Sequence, residues 1–187
     1  MIFKNIYNYY ITFRTRKLCK LRKAKLDDID FIIKLIIQGS QNGHYNNNYK
    51  LPHQYQIILN FYTEIIKGNI PITYDNDRGT HKYGEIWIYY REDIGNIGFV
   101  YLIENQEGSW EKEREIMLFS IKQKLQNKCF GNGLLNYLMS GCPNKMKVYA
   151  RCYEPSFIML EMLKRNNFKI IDEADSGTST LLFQKGS

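Results

Sequence analysis

The sequence predicts an α/β fold built on a mixed sheet, and three observations carry that prediction. Two early segments repeat apolar residues at helical spacing. Two β-branched, aromatic runs joined by a turn signal follow them. The second half then alternates short strands with short helices. At 187 residues the chain is most simply one domain, long enough to bury roughly 70% of its unfolded surface.

The elements follow in order. "KLCKLRKAKL", residues 17–26, alternates well enough for a first strand. Asp27 and Asp28 offer caps for a helix in which Ile29, Ile32, Ile33 and Ile36 share a face. After the polar loop "QGSQNGHYNNN" and Pro52, "HQYQIILNFYTEIIKGN" reads as a second helix ending at Gly68. "GEIWIYYRED" and "NIGFVYLIENQ" are strands joined through Asp93-Ile94-Gly95-Asn96, a hairpin signal. "GSWEKERE" turns the chain into "EIMLFSIKQ", a third strand of this group. "GLLNYLMS" is a short helix and "KVYARC" a compact strand. "SFIMLEMLKRNN" is a helix with Ile158, Met162 and Leu163 on one face, and "FKIIDEA" and "STLLFQK" close as a strand pair. The predicted order is βααβββαβαββ.

Composition narrows the function classes. No stretch reaches the roughly 20 apolar residues of a membrane span. "MIFKNIYNYYITFRTRK" carries Lys and Asn in its apolar part and no small-residue cleavage site, so it reads as a basic, aromatic arm (residues 1–17) before a domain spanning 18–187. Cys19, Cys129, Cys142 and Cys152 are scattered, which fits free thiols in a reducing, cytoplasmic setting. His44, His53 and His81 sit in or beside loops without metal spacing, so no metal is expected. The net charge of +7 favours anionic partners through the basic N-terminal region; compositional drift in a Lys- and Asn-rich chain is the alternative.

The segment "KCFGNGLLNYL", Lys128 to Leu138, places two glycines where a helix begins. A helix N-terminus leaves N–H groups open, and glycines before it let an anion rest on the backbone. A tight left-handed turn packing the helix on the sheet is the other use of such glycines. No Gly-Lys-Ser/Thr follows, which excludes a Walker loop, and the three glycines of a dinucleotide fingerprint are missing.

The order of elements and this motif together resemble the GNAT superfamily of N-acetyltransferases. Lys128-x-x-Gly131-x-Gly133 stands where that family has Gln/Arg-x-x-Gly-x-Gly/Ala; "LRKAKLDDIDFIIKLI" looks like its opening strand and helix; "MLKRNNFKII" looks like its "LY.K.GF" segment, with Asn167 where Gly is commoner. The resemblance covers about residues 18–185. It implies a mixed, mostly antiparallel sheet flanked by helices, and acetyl-CoA as cosubstrate. The amides of Cys129, Phe130, Gly131, Asn132, Gly133 and Leu134 would cradle its pyrophosphate, with Lys128 as a cationic neighbour. Ile121, Lys122 and Gln123 would pair with the pantetheine arm at a splay in the sheet, and Ser156 stands where the family often contacts the cofactor. A plain N-cap explains Ser156 equally well.

Acetyl transfer to an amine needs a neutral nucleophile and a base for its proton, and the departing thiolate benefits from a proton donor. Glu115 is the candidate base, placed by strand alternation on a face with Met117, Phe119 and Ile121, where an apolar cleft raises a carboxyl pKa; a strand-end carboxylate beside Glu111 and Glu113 is the alternative. The family's tyrosine acid falls on Leu163, which donates nothing; Tyr153 is the nearest replacement in sequence, though it also reads as a plain loop or groove residue, and water or unaided departure of the thiolate are the alternatives. The acceptor groove is expected between the first two helices, the loop 39–50 and the turn 173–178. The leading expectation is an acetyl-CoA-dependent N-acetyltransferase acting on a primary amine, small-molecule or peptide, by direct attack in a ternary complex, with a homodimer allowed for. The alternatives are a non-catalytic CoA-binding module and a transferase acting on an RNA-linked amine.

Overall fold

A computed structural model describes residues 18–68, 71–73, 81–105 and 113–184. The arm 1–17 and Glu111 lie outside the described residues. The chain runs β1 (Lys20–Lys23), α1 (Ile29–Gln41), α2 (Tyr55–Lys67), β2 (Pro71–Thr73), β3 (His81–Arg91), β4 (Gly95–Asn105), β5 (Glu113–Ile121), α3 (Phe130–Gly141), β6 (Lys147–Cys152), α4 (Phe157–Arg165), β7 (Lys169–Glu173) and β8 (Ser179–Gln184). The order expected from the sequence recurs with one addition, the short β2, which pairs with β3 ahead of the main hairpin.

The strands form one sheet in the order β1-β3-β4-β5-β6-β8-β7, with β2 also on β3. Every pairing is antiparallel except β5 with β6. That single parallel pair needs a crossover, and α3 supplies it. Each face of the sheet is covered. On one side Ile32, Ile33 and Ile36 of α1 and Ile58 and Tyr62 of α2 pack on Ile88, Phe99 and Leu118. On the other, Leu134 and Leu135 of α3 and Leu163 of α4 pack on Val100, Ile116, Val148 and Leu181. Helices with one apolar stripe bury it against a sheet with two apolar faces.

Local chemistry explains the ends. Gly68 closes α2 in the left-handed conformation, as its place after the apolar repeat predicts. Asp28 does not cap α1 through its side chain. Its carboxylate instead accepts from the Lys25 amide at 2.8 Å, from Arg22 at 2.6 and 2.8 Å and from Asn96 at 2.9 Å. This network ties β1, the start of α1 and β4 together. Burial pushes the Asp28 carboxyl up, but these hydrogen bonds and the Arg22 charge outweigh it and hold it below its ordinary value.

Candidate active site

The parallel pairing of β5 with β6 stops at Ile116 opposite Ala150. Beyond it β6 continues along β8 while β5 runs on beside β4 alone, so the two strands part. A bulge places the extra residue Met117 in β5 just where the parting begins, between the pairs Tyr101–Leu118 and Leu102–Ile116. Bulges turn a strand away from its neighbour. The resulting gap opens into a cavity of about 980 Å³, lined by β5 from Glu115 to Ile121, by Ala150–Tyr153, and by parts of α1, α3 and α4.

The gap carries an unpaired strand edge. The Lys122 amide donates to Ile97 O at 2.9 Å, so the strand alternation turns the backbone groups of Phe119 and Ile121 away from β4 and into the gap. Two side chains reach these carbonyls: Tyr45 Oη donates to Phe119 O at 2.7 Å, and Gln126 Nε2 donates to Ile121 O at 3.0 Å. Of the residues expected to pair with a pantetheine arm, only Ile121 therefore lies on the free edge. Lys122 turns its amide to β4, and Gln123 begins a tight turn through Leu125.

At the end of the gap stands the N-terminus of α3. Asn127 and Cys129 both take left-handed backbone, φ 58° and 63°, in the approach to it. No side chain caps the helix, and its first internal bond is Gly133 N to Cys129 O at 2.9 Å. The amides of Phe130, Gly131 and Asn132 thus have no partner within the helix, whereas those of Gly133 and Leu134 are engaged in it. Of the amides expected to form a cradle, those two are therefore already occupied. Cys129, Gly131 and Asn132 line the cavity; Phe130 and Leu134 turn their side chains into the core. A Cβ added to Gly131 would find only Met162 Sδ at 3.4 Å and other atoms at 3.8 Å, ordinary contacts. Packing does not require a glycine there. Its lack of a side chain leaves the open amides accessible from the cavity.

Glu115 sits at the apex of the gap, but not as strand alternation places it. The bulge leaves Met117 and Leu118 on the α1–α2 side, while Phe119 and Ile121 pack on the α3–α4 side. Nor is its setting an isolated apolar cleft: Arg151 donates to Glu115 Oε1 from Nε at 2.8 Å and lies 2.7 Å away through Nη2. Ser156 is buried and makes no capping bond to α4; its hydroxyl meets His44 Nδ1 at 3.2 Å. Tyr153 lines the cavity and is half exposed. Leu163, by contrast, is fully buried in the core and does not line the cavity, and Ile158, expected beside it, is exposed. Of the turn expected beside the acceptor, Thr178 reaches the cavity, whereas the carboxylates of residues 172–175 do not.

Sequence reasoning passed over His44, Tyr45 and Arg151. The signal for the first two was the pairing of Gly39 with the aromatic six residues on: a Cβ at Gly39 would collide with the Tyr45 ring. The loop 42–46 crosses from α1 to the far wall of the gap, with Gly43 against Pro155, His44 on Ser156 and Tyr45 on β5.

Comparison with solved structures decides the fold. An acetyltransferase of the GNAT family from Streptococcus agalactiae superposes with a TM-score of 0.63 at 12% identity, covering 90% of this chain and 96% of that one. The chain has the fold of the GNAT acetyltransferases. Other GNAT-fold structures agree: the PaiA N-acetyltransferase of Thermoplasma acidophilum in complex with coenzyme A (TM-score 0.61, 15% identity, 90% and 99% covered) and the spermidine N-acetyltransferase of Vibrio cholerae with CoA and spermine (0.61, 13%, 89% and 94%). No family model matches the sequence, and no curated protein matches it. Among the described residues of this GNAT fold no helix is long and apolar enough to cross a membrane.

Proposed function

We propose that the protein is a GNAT N-acetyltransferase that passes the acetyl group of acetyl-CoA to an amine by direct attack in a ternary complex. One observation carries the reading: an unpaired strand edge leads, within a single cavity, to an open helix N-terminus whose glycine packing does not need. An extended arm bearing amides fits the first, and a pyrophosphate fits the second. Two structures of the same fold are complexes with coenzyme A, and this supports the same ligand here.

The residues divide the work. The amides of Phe130, Gly131 and Asn132 bind phosphate oxygens, and Lys128, beside them in sequence, adds charge. The edge of β5 at Phe119 and Ile121 aligns the pantetheine arm, and an amide of this edge receives the oxyanion that forms as nitrogen attacks. Glu115 accepts the amine's proton. For that its carboxylate exchanges the Arg151 guanidinium for the incoming amine. Ser156 and Tyr153 line the walls.

Thiol release from acetyl-CoA, measured against a panel of amines and amine-bearing peptides, tests the reading. Turnover with at least one acceptor is expected. Glu115→Gln keeps size and the Arg151 contact but cannot take a proton, so kcat falls roughly 10²–10⁴-fold while CoA affinity persists. An active wild type indifferent to this change contradicts the assignment of Glu115. CoA binding without turnover on any acceptor would instead support a non-catalytic module.

A further inference from the structure

Resting on the transferase reading, we propose that Tyr45, from the loop between α1 and α2, is the proton donor that releases coenzyme A. A donor close to the departing sulfur eases that release. Cys152 lines the same gap, and burial pushes its thiol up to about 11. A coenzyme A thiolate expelled beside it leaves more readily when a proton reaches it.

Tyr45 is placed to supply it. Its hydroxyl reaches the free edge of β5 and donates to Phe119 O at 2.7 Å, inside the gap between β5 and β6. Leu163 lies in the core, and Tyr153 stands half exposed on the outer wall. The ring of Tyr45 occupies the space that Gly39 leaves empty, so its approach is fixed by packing against α1. Burial pushes the Tyr45 hydroxyl above its ordinary value, outweighing the hydrogen bonds to Ser120 and Phe119, and the group stays protonated at working pH. Phe119 O has a second lone pair, so a pantetheine amide can bind there beside the tyrosine.

The step balances as follows. The amine lone pair forms the C–N bond while the carbonyl π pair moves to oxygen. When that pair returns, the C–S bond breaks and its electrons pass to sulfur, which takes the proton from Tyr45 Oη. The nitrogen's proton passes to Glu115 and on to water, and water reprotonates the tyrosinate. The products are the amide and the free thiol.

Tyr45→Phe tests the proposal, because it keeps the ring and removes only the hydroxyl. Calorimetry with CoA and a thermal melt establish that the variant binds and folds. The expected result is a kcat lower by roughly 10²–10⁴-fold with KM for acetyl-CoA unchanged. A 3-fluorotyrosine at position 45 restores activity. With the acetyl selenoester analogue of CoA, whose selenolate leaves without a proton, the defect of Tyr45→Phe shrinks markedly. A structural role for the hydroxyl would lower both donors' rates alike, and that outcome overturns the proposal. So does an unchanged kcat in a variant that binds CoA. Should Tyr45→Phe not fold, the fluorotyrosine protein decides through its pH profile: the alkaline limb of kcat with acetyl-CoA moves to lower pH, and an unmoved limb overturns the proposal. A wild type that transfers acetyl to no amine removes the transferase reading, and this one with it.

Discussion

Replacing Gly131 by alanine separates what the fold needs from what the ligand needs. The new Cβ meets Met162 Sδ at 3.4 Å, the flexible end of a side chain, and nothing closer. Gly131 lies in the first turn of α3, where alanine is preferred by up to about 1 kcal/mol. The variant is therefore expected to unfold at a temperature equal to or up to about 4 °C above the wild type. Binding moves the other way. A methyl group over the open amides keeps a phosphate oxygen at a distance and weakens one or two charge-assisted hydrogen bonds, each worth about 1.5–3 kcal/mol. CoA affinity then falls roughly 10-fold or more. Gly131→Asp goes further: the carboxylate sits favourably at the helix N-terminus, about 0.3–1 kcal/mol, while excluding phosphate from it. Paired thermal melts and calorimetric titrations with CoA measure both effects. An Ala variant as stable as expected that binds CoA with wild-type affinity would refute the reasoning.

Two further expectations concern the frame. Leu163→Tyr puts a larger, polar side chain into a fully buried site that does not open on the cavity, so it destabilises by about 1–3 kcal/mol in a denaturant titration and adds no proton donor; a gain in activity would contradict this placement. Asp28, held below its ordinary pKa, contributes stability that is present above the unfolded value, about pH 4, and is lost as pH falls through its folded pKa. Asp28→Asn should lower stability at neutral pH and flatten its decline between pH 5 and 2; equal acid slopes for the two proteins would remove Asp28 from the acid response.

The sequence made the frame legible because periodicity and turn chemistry are local. "KVYARC" is β6 residue for residue, and Gly68 ends α2 as its position after the apolar repeat suggests. The glycines of "KCFGNGLL" marked the α3 N-terminus for the same reason. The site was legible only up to the point where strand register enters. Met117 bulges out of β5 and moves Phe119 and Ile121 to the face opposite Met117, and no pattern within "EIMLFSIKQ" announces that. The Arg151–Glu115 pair joins residues 36 apart in sequence, and His44 meets Ser156 across 112. Both contacts exist because α3 returns the chain to the other side of the gap. β2, three residues long, is defined by its partner strand rather than by its own composition.

In the proposed reading acetyl-CoA lies in the gap between β5 and β6 with its phosphates on α3. Amide hydrogen exchange of the wild-type protein, with and without CoA, tests it most directly. Protection is expected at the amides of Phe119 and Ile121 and at Phe130, Gly131 and Asn132, with Gly133 and Leu134 already slow in the free protein. Saturating CoA that leaves both groups of amides exchanging as before would contradict the account.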